Sequence, residues 1–286
     1  MDLDFSEVKK PGIFRIAFIG DSFVFGIVPY EFNFTTLLEG RLSAAGRTDV
    51  LNMGIPSIGV DAYLKMVKDA RRFKPDLVIV GFFIGNDFEE HPNVNRGRFR
   101  TIALLRALVK LARLPAFWRH FIPLGHYDDE RPGPFSDVEY RDIEIRRSRI
   151  YLQRKRPSLE SDLKYVLSRL GAMKKACDDS GIHFMVAIFP DEIQVNRALR
   201  EDVQRYLSDR NQMTPGEWRN RMPDRVLMQA LASNGMDALD LTEDFIREGT
   251  QNRLYKKNNS HWNLAGHRLA ASVLAEALKA RGFYSE

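Results

Sequence analysis

Arg15-Ile16-Ala17-Phe18-Ile19-Gly20-Asp21-Ser22-Phe23 is the stretch that decides the fold. A short, unbroken apolar run ending in glycine reads as a strand buried on both faces, as in a parallel sheet. Gly20 lets the backbone turn tightly at the end of that strand. The turn then presents the Ser22 hydroxyl beyond the strand's carboxyl end, where open α/β sheets bind their ligands.

Working outward, similar apolar runs occupy 14–19, 50–53, 77–83, 183–189 and 238–241. Helical periodicity lies between them. It spans 34–45 (Phe34, Leu37, Leu38, Leu42), 61–73, 161–178 (Leu163, Val166, Leu167, Leu170) and 264–280 (Leu269, Val273, Leu274, Leu278). Strands alternating with helices predict a parallel sheet covered on both faces.

The 286 residues fit one α/β domain, 1–286, with an insertion rich in arginine and proline at about 88–157 that has no clear core strand. Within it, 101–113 has an amphipathic pattern: Arg106, Lys110 and Arg113 on one face, Ile102, Leu105, Val109 and Ala112 on another. Three readings fit this segment: a helix packed on the domain, a lid or membrane-surface element making peripheral contact, or a partner-binding helix. A second polar region, 197–223 with Trp218, reads as a helical excursion near the site.

Composition narrows the function. The single cysteine, Cys177, excludes an internal disulfide, and a net charge of +5 is a weak basis for a nucleic-acid partner, so none is expected. No stretch reaches the roughly 18 apolar residues of a membrane span, and the N-terminus lacks the pattern of a signal peptide. The chain as given is therefore expected to be soluble, either cytoplasmic or the soluble part of an exported or anchored protein. The six histidines, His91, His120, His126, His183, His261 and His267, are scattered, so no metal and no cofactor are expected.

Four blocks carry candidate chemistry. Gly20-Asp21-Ser22 offers a nucleophile. Asn52-Met53-Gly54 closes the second strand with a glycine whose N–H can face a developing oxyanion. Gly81-Phe82-Phe83-Ile84-Gly85-Asn86-Asp87 closes the third; the Asn86 amide can donate to the same oxygen, and Asp87 can brace the loop. Asn259-Ser260-His261-Trp262-Asn263, before the last helix, supplies a base for the serine. Singly, each block has an ordinary structural reading: a turn, a strand-ending glycine, an N-cap, a core histidine or aromatic.

Together, in this order, the blocks resemble the SGNH hydrolase superfamily, the GDSL esterases and lipases, over 14–278. The phrase around Ser22 and the His-Trp-Asn-x-x-Gly-His ending are most similar to the branch of polysaccharide O-acetyltransferases and acetylesterases. The resemblance implies a three-layer α/β/α fold with a five-stranded, parallel, flavodoxin-like sheet. It implies Ser22 as nucleophile, His261 as base, and an oxyanion hole of the Ser22 N–H, the Gly54 N–H and the Asn86 side chain. The expected substrate is a small-molecule, lipid or glycan ester, with O-acetyl esters foremost.

One position departs from the family. The aspartate that orients the histidine is replaced by Asn258 or Asn259, and Asn259 is the better match. A Ser–His dyad, an inactivated variant and a non-catalytic relative each account for this. A degenerate fold that binds an acylated or anionic glycan is the alternative to an enzyme. Asn259-Ser260 is also the kind of small-residue pair at which asparagine side chains deamidate. A flavodoxin-like nucleotide site is disfavoured, because 20–26 is too bulky to cradle a phosphate.

Overall fold

The computed structural model describes residues 6–43, 47–88, 127–131 and 133–283. Five strands, β1 (Phe14–Gly20), β2 (Thr48–Gly54), β3 (Leu77–Phe83), β4 (His183–Phe189) and β5 (Asp237–Asp240), pair in the order β2-β1-β3-β4-β5. All pairings are parallel. In chain order the described helices are α1 (Ser22–Phe25), α2 (Phe34–Leu42), α3 (Val60–Ala70), α4 (Asp137–Arg147) and α5 (Arg156–Asp178). They continue with α6 (Glu192–Val195), α7 (Arg197–Asp209), α8 (Met222–Ser233), α9 (Thr242–Glu248) and α10 (Leu264–Ala280).

The period of two along each strand divides the core into two layers. On one face, Ala17, Ile19, Val80 and Val186 meet Tyr63 and Val67 of α3, Val166 of α5 and Leu227 of α8. On the other, Ile16, Phe18, Ile79 and Met185 meet Phe34 and Leu38 of α2 and Ala270 and Leu274 of α10. All seven residues of β3 are buried, whereas edge strand β5 has no buried residue. At about 1.5–3 kcal/mol for each large apolar side chain buried, the central strands β1, β3 and β4 and the helix faces packed on them share the burial stabilisation, and β5 adds little. The fold is thus the expected three-layer α/β/α sandwich.

After β1 the chain moves out to β2 and then returns past β1 to β3. That reversal opens a crevice at the carboxyl ends of these strands, the usual ligand position in such sheets. Ser22, Gly54 and Asn86 all follow or end those three strands.

The predicted elements differ from the observed ones mainly at their ends. The strand expected at 50–53 runs Thr48–Gly54, and the helix expected at 161–178 begins at Arg156. Pro157 sits in its first turn, where the missing N–H costs nothing. The described part of the insertion contains α4, started by a Ser136–Glu139 capping box. The amphipathic segment 101–113 lies outside the described residues. The polar region 197–223 begins with α7, and its Trp218 stacks on Tyr151 with ring centroids 5.2 Å apart.

Candidate active site

Ser22 opens α1 immediately after β1. Asp21 caps this helix, its Oδ1 accepting from the Phe23 N–H at 2.9 Å. The turn is tight: a Cβ on Gly20 would lie 2.5 Å from Val24 Cγ2. Gly54 matters for the same reason, since a Cβ there would lie 2.0 Å from the Phe25 nitrogen. The end of β2 and the Ser22 turn therefore pack backbone to backbone, an approach only glycine allows.

The histidine loop is fixed from both sides. Tyr255 and Trp262 form an antiparallel bridge, and the Lys256 N–H donates to the His261 carbonyl at 2.9 Å. Trp262 is fully buried, packing edge-on against Phe23, Phe34 and Phe189, so it anchors the loop in the core. Asn263 caps α10 by accepting from the Gly266 N–H at 2.9 Å. His267, on α10, is 1% exposed and accepts the Phe34 N–H on Nδ1 at 3.1 Å. Burial pushes its pKa down to about 3, so it is a neutral structural acceptor.

These elements bring Ser22 and His261 together. Ser22 Oγ lies 2.8 Å from His261 Nε2, and His261 Nδ1 lies 2.6 Å from Asn259 Oδ1. Asn259 Oδ1 also accepts the His261 backbone N–H at 3.2 Å. A backbone N–H only donates, so the amide oxygen must face the ring. Nδ1 then carries the proton, and Nε2 is free to accept from Ser22. Asn258 does not compete for the ring: its backbone is left-handed (φ 51°), and its Nδ2 donates to Asp137 Oδ1 at 2.5 Å.

The electrostatics run against a charged ring. The His261 pKa is pushed down to about 3, first by burial and then by the charges of Arg147 and Lys256. Burial likewise lowers Lys256 to about 8. Asp21 is raised to about 6 by burial, against the Phe23 N–H, the Asn86 amide and Arg147, which all favour its ionised form.

Of the expected oxyanion donors, Asn86 and Gly54 are already engaged. Asn86 Nδ2 donates to Asp21 Oδ2 at 3.2 Å, which leaves its second N–H for a ligand. The Gly54 N–H donates to Asn52 Oδ1 at 3.0 Å, so a substrate oxygen must share or displace that acceptor. The Ser22 N–H lies in the first turn of α1, where no intrahelical acceptor exists. Asp87 accepts the Phe83 N–H at 2.8 Å and the Tyr63 hydroxyl at 3.1 Å, bracing the loop that carries Asn86.

Residues not foreseen from the sequence complete the surroundings. Arg147, at the end of α4, donates to Ser260 Oγ at 2.7 Å and to Glu144 Oε1 at 2.9 Å. Its guanidinium also sits 5.5 Å from the Phe83 ring centroid and 3.8 Å from Asp191. Glu144 and Asp191 are completely buried, and burial raises both pKa values. Beside them, Tyr140 donates to Glu192, whose pKa burial raises to about 7. Among the described residues no cluster of three or more His, Cys, Asp or Glu side chains is placed to hold a metal. None of the described helices is long and apolar enough to cross a membrane.

The sheet order, with Ser, Gly and Asn at or just beyond the ends of its first three strands and His before its last helix, is the arrangement of the SGNH hydrolase fold. Residues 150–286, just under half of the chain, match the family model described as "SGNH hydrolase-like domain, acetyltransferase AlgX". No curated protein matches the sequence. Among solved structures, the chain is similar to a lipase/acylhydrolase from Enterococcus faecalis: 13% identity, 94% of this chain and 97% of that chain covered, TM-score 0.47. It is also similar to a catalytic mutant of Axe2, an acetylxylan esterase from Geobacillus stearothermophilus: 13% identity, 95% of each chain covered, TM-score 0.45.

Proposed function

We propose that this chain is a serine esterase or acyl transferase acting on O-acyl esters, O-acetyl esters foremost, of a carbohydrate or lipid. The observation that carries the reading is the 2.8 Å contact from Ser22 Oγ to His261 Nε2, at the carboxyl ends of the strands. His261 Nε2 takes the Ser22 proton while Ser22 Oγ attacks the ester carbonyl. The tetrahedral oxygen is met by the Ser22 N–H, the Asn86 amide and the Gly54 N–H, the last released from Asn52. His261 then protonates the departing alcohol, leaving an acyl group on Ser22. Water completes a hydrolase cycle; a sugar hydroxyl completes a transferase cycle.

The step most affected by Asn259 is formation of the imidazolium. An amide fixes the tautomer but adds no negative charge, and Arg147 and Lys256 oppose a second proton on the ring. In serine proteases the aspartate-to-asparagine change costs about 10⁴ in turnover, about 5 kcal/mol of barrier. There the asparagine also leaves the wrong tautomer; here the tautomer is correct, so the residual rate is expected to be higher. That same missing charge supports a second reading, a protein that binds an acylated or anionic glycan without turning it over.

The test is acyl-enzyme trapping. Mixing the chain with p-nitrophenyl acetate and quenching early is expected to place an acetyl group on the peptide containing Ser22, and nothing on the Ser22→Ala variant. Label absent from Ser22, in both the unmodified chain and Asn259→Asp, would support the binding protein instead.

A further inference from the structure

We infer that Asn259 is a site of self-deamidation, and that its conversion to aspartate supplies the carboxylate that His261 lacks. The gain in activity rests on the esterase reading above; the chemistry at Asn259 does not.

Three features of the loop support the step. First, Asn259 Oδ1 accepts the N–H two residues ahead, which folds the side-chain amide forward over the Ser260 peptide. The next residue is a serine, whose short side chain leaves that peptide open to the amide carbon.

Second, Oδ1 already receives two N–H donors, from the His261 backbone at 3.2 Å and the ring Nδ1 at 2.6 Å. When the Ser260 nitrogen attacks Cγ, negative charge develops on this oxygen. Two fixed donors serve it as an oxyanion hole serves an ester carbonyl.

Third, the surroundings favour the product. Arg147 donates to Ser260 Oγ at 2.7 Å, and both Arg147 and Lys256 act electrostatically on the adjoining His261 ring. Arg147 is already paired with Glu144 and Lys256 with the Tyr127 hydroxyl, yet a carboxylate at this position gains added attraction from both cations and keeps the same two N–H donors.

The step balances with water alone. The Ser260 N–H loses its proton to solvent as the nitrogen bonds to Cγ. The Cγ–Nδ2 bond then breaks, and the amide nitrogen leaves as ammonia, giving a succinimide. Water adds at Cγ, the N–Cγ bond opens, and the Ser260 nitrogen regains a proton. One water is consumed and one ammonia released. Opening at Cγ, the carbonyl polarised by both donors, yields aspartate; opening at the backbone carbonyl yields isoaspartate, whose displaced main chain cannot hold the ring.

The experiment ages the freshly purified full chain in ¹⁸O-labelled water at mildly alkaline pH, with the urea-denatured chain alongside. Peptide mapping follows Asn259, and ester hydrolysis is read at each time. Conversion is expected to run about tenfold faster in the folded chain than in the denatured one, with aspartate exceeding isoaspartate. Equal or slower conversion in the folded chain, or mainly isoaspartate, would overturn the proposal. Asn259→Gln, whose longer side chain cannot close the five-membered ring, is expected to show neither label nor rising activity. Asn259→Asp separates the two claims. If it is active while Asn259 stays intact, the modification fails and the esterase reading stands. If Asn259 converts while Asn259→Asp is inert, the conversion stands but the supply of a working triad carboxylate, and the esterase reading with it, fails.

Discussion

Asn259 Oδ1 lies 2.6 Å from His261 Nδ1 and also accepts that residue's backbone N–H, so one amide oxygen holds both the ring and the main chain of His261. What it lacks is charge. In the proposed mechanism Ser22 passes its proton to this ring, a step that burial, Arg147 and Lys256 all oppose.

Restoring that charge is expected to matter more than any change of shape. Asn259→Asp is predicted to raise kcat by up to about 10⁴ with little change in KM, because the gain belongs to the imidazolium formed during reaction. The variant's kcat is also predicted to fall off at a higher pH on acidification than in the unmodified chain, since a carboxylate raises the ring's proton affinity. Steady-state kinetics across pH check both.

His261, half-buried, and His267, buried, are both expected to stay neutral well below their ordinary range. Both folded pKa values fall to about 3, below the unfolded value of 6.5. A base lowered in this way adds stability above the unfolded pKa, and the contribution is lost as pH falls from 6.5 toward 3. Their ring resonances are predicted not to titrate between pH 8 and pH 5. A midpoint near 6.5 for His267 would show that its ring is not held as the acceptor of the Phe34 N–H.

Arg147 reaches the histidine loop through its bond to Ser260 Oγ. Arg147→Gln is predicted to lower kcat about tenfold, with KM nearly unchanged, as the histidine loop loses its strut. The same change removes a cation near the ring, so the acidic limb of the pH profile should move upward. A purely structural role would lower stability and leave that limb in place. Arg147→Lys keeps the charge and should keep the limb.

Gly54→Ala tests the close packing behind the Ser22 turn. Its Cβ would lie 2.0 Å from the Phe25 nitrogen, a backbone atom that moves only with the Ser22 turn. A loss of about 1–3 kcal/mol in stability is expected, together with loss of turnover. Urea denaturation and ester hydrolysis measure the two separately.

The central strands were readable because β1, β3 and β4 are apolar on both faces and end in turn residues, the pattern of strands buried within a parallel sheet. Helix ends were less so: α5 begins at Arg156, five residues before the expected start at 161, in a polar first turn around Pro157. The choice between Asn258 and Asn259 rests on the left-handed backbone at Asn258, which sends that side chain to Asp137. Arg147 left no local signal, because its bond to Ser260 spans 113 positions and exists only in the folded chain. Asn52 did leave one. An asparagine two residues before a glycine commonly accepts that N–H, and the pattern anticipates the engaged Gly54 donor.

The most direct measurement is release of p-nitrophenol from acetyl and longer-chain esters by the fresh chain, Ser22→Ala, Asn259→Asp and the double variant. Slow turnover in the unmodified chain, a large rise in Asn259→Asp, and none in either variant lacking Ser22 is the predicted result. Equal rates with and without the Ser22 hydroxyl in the Asn259→Asp background would contradict a serine mechanism.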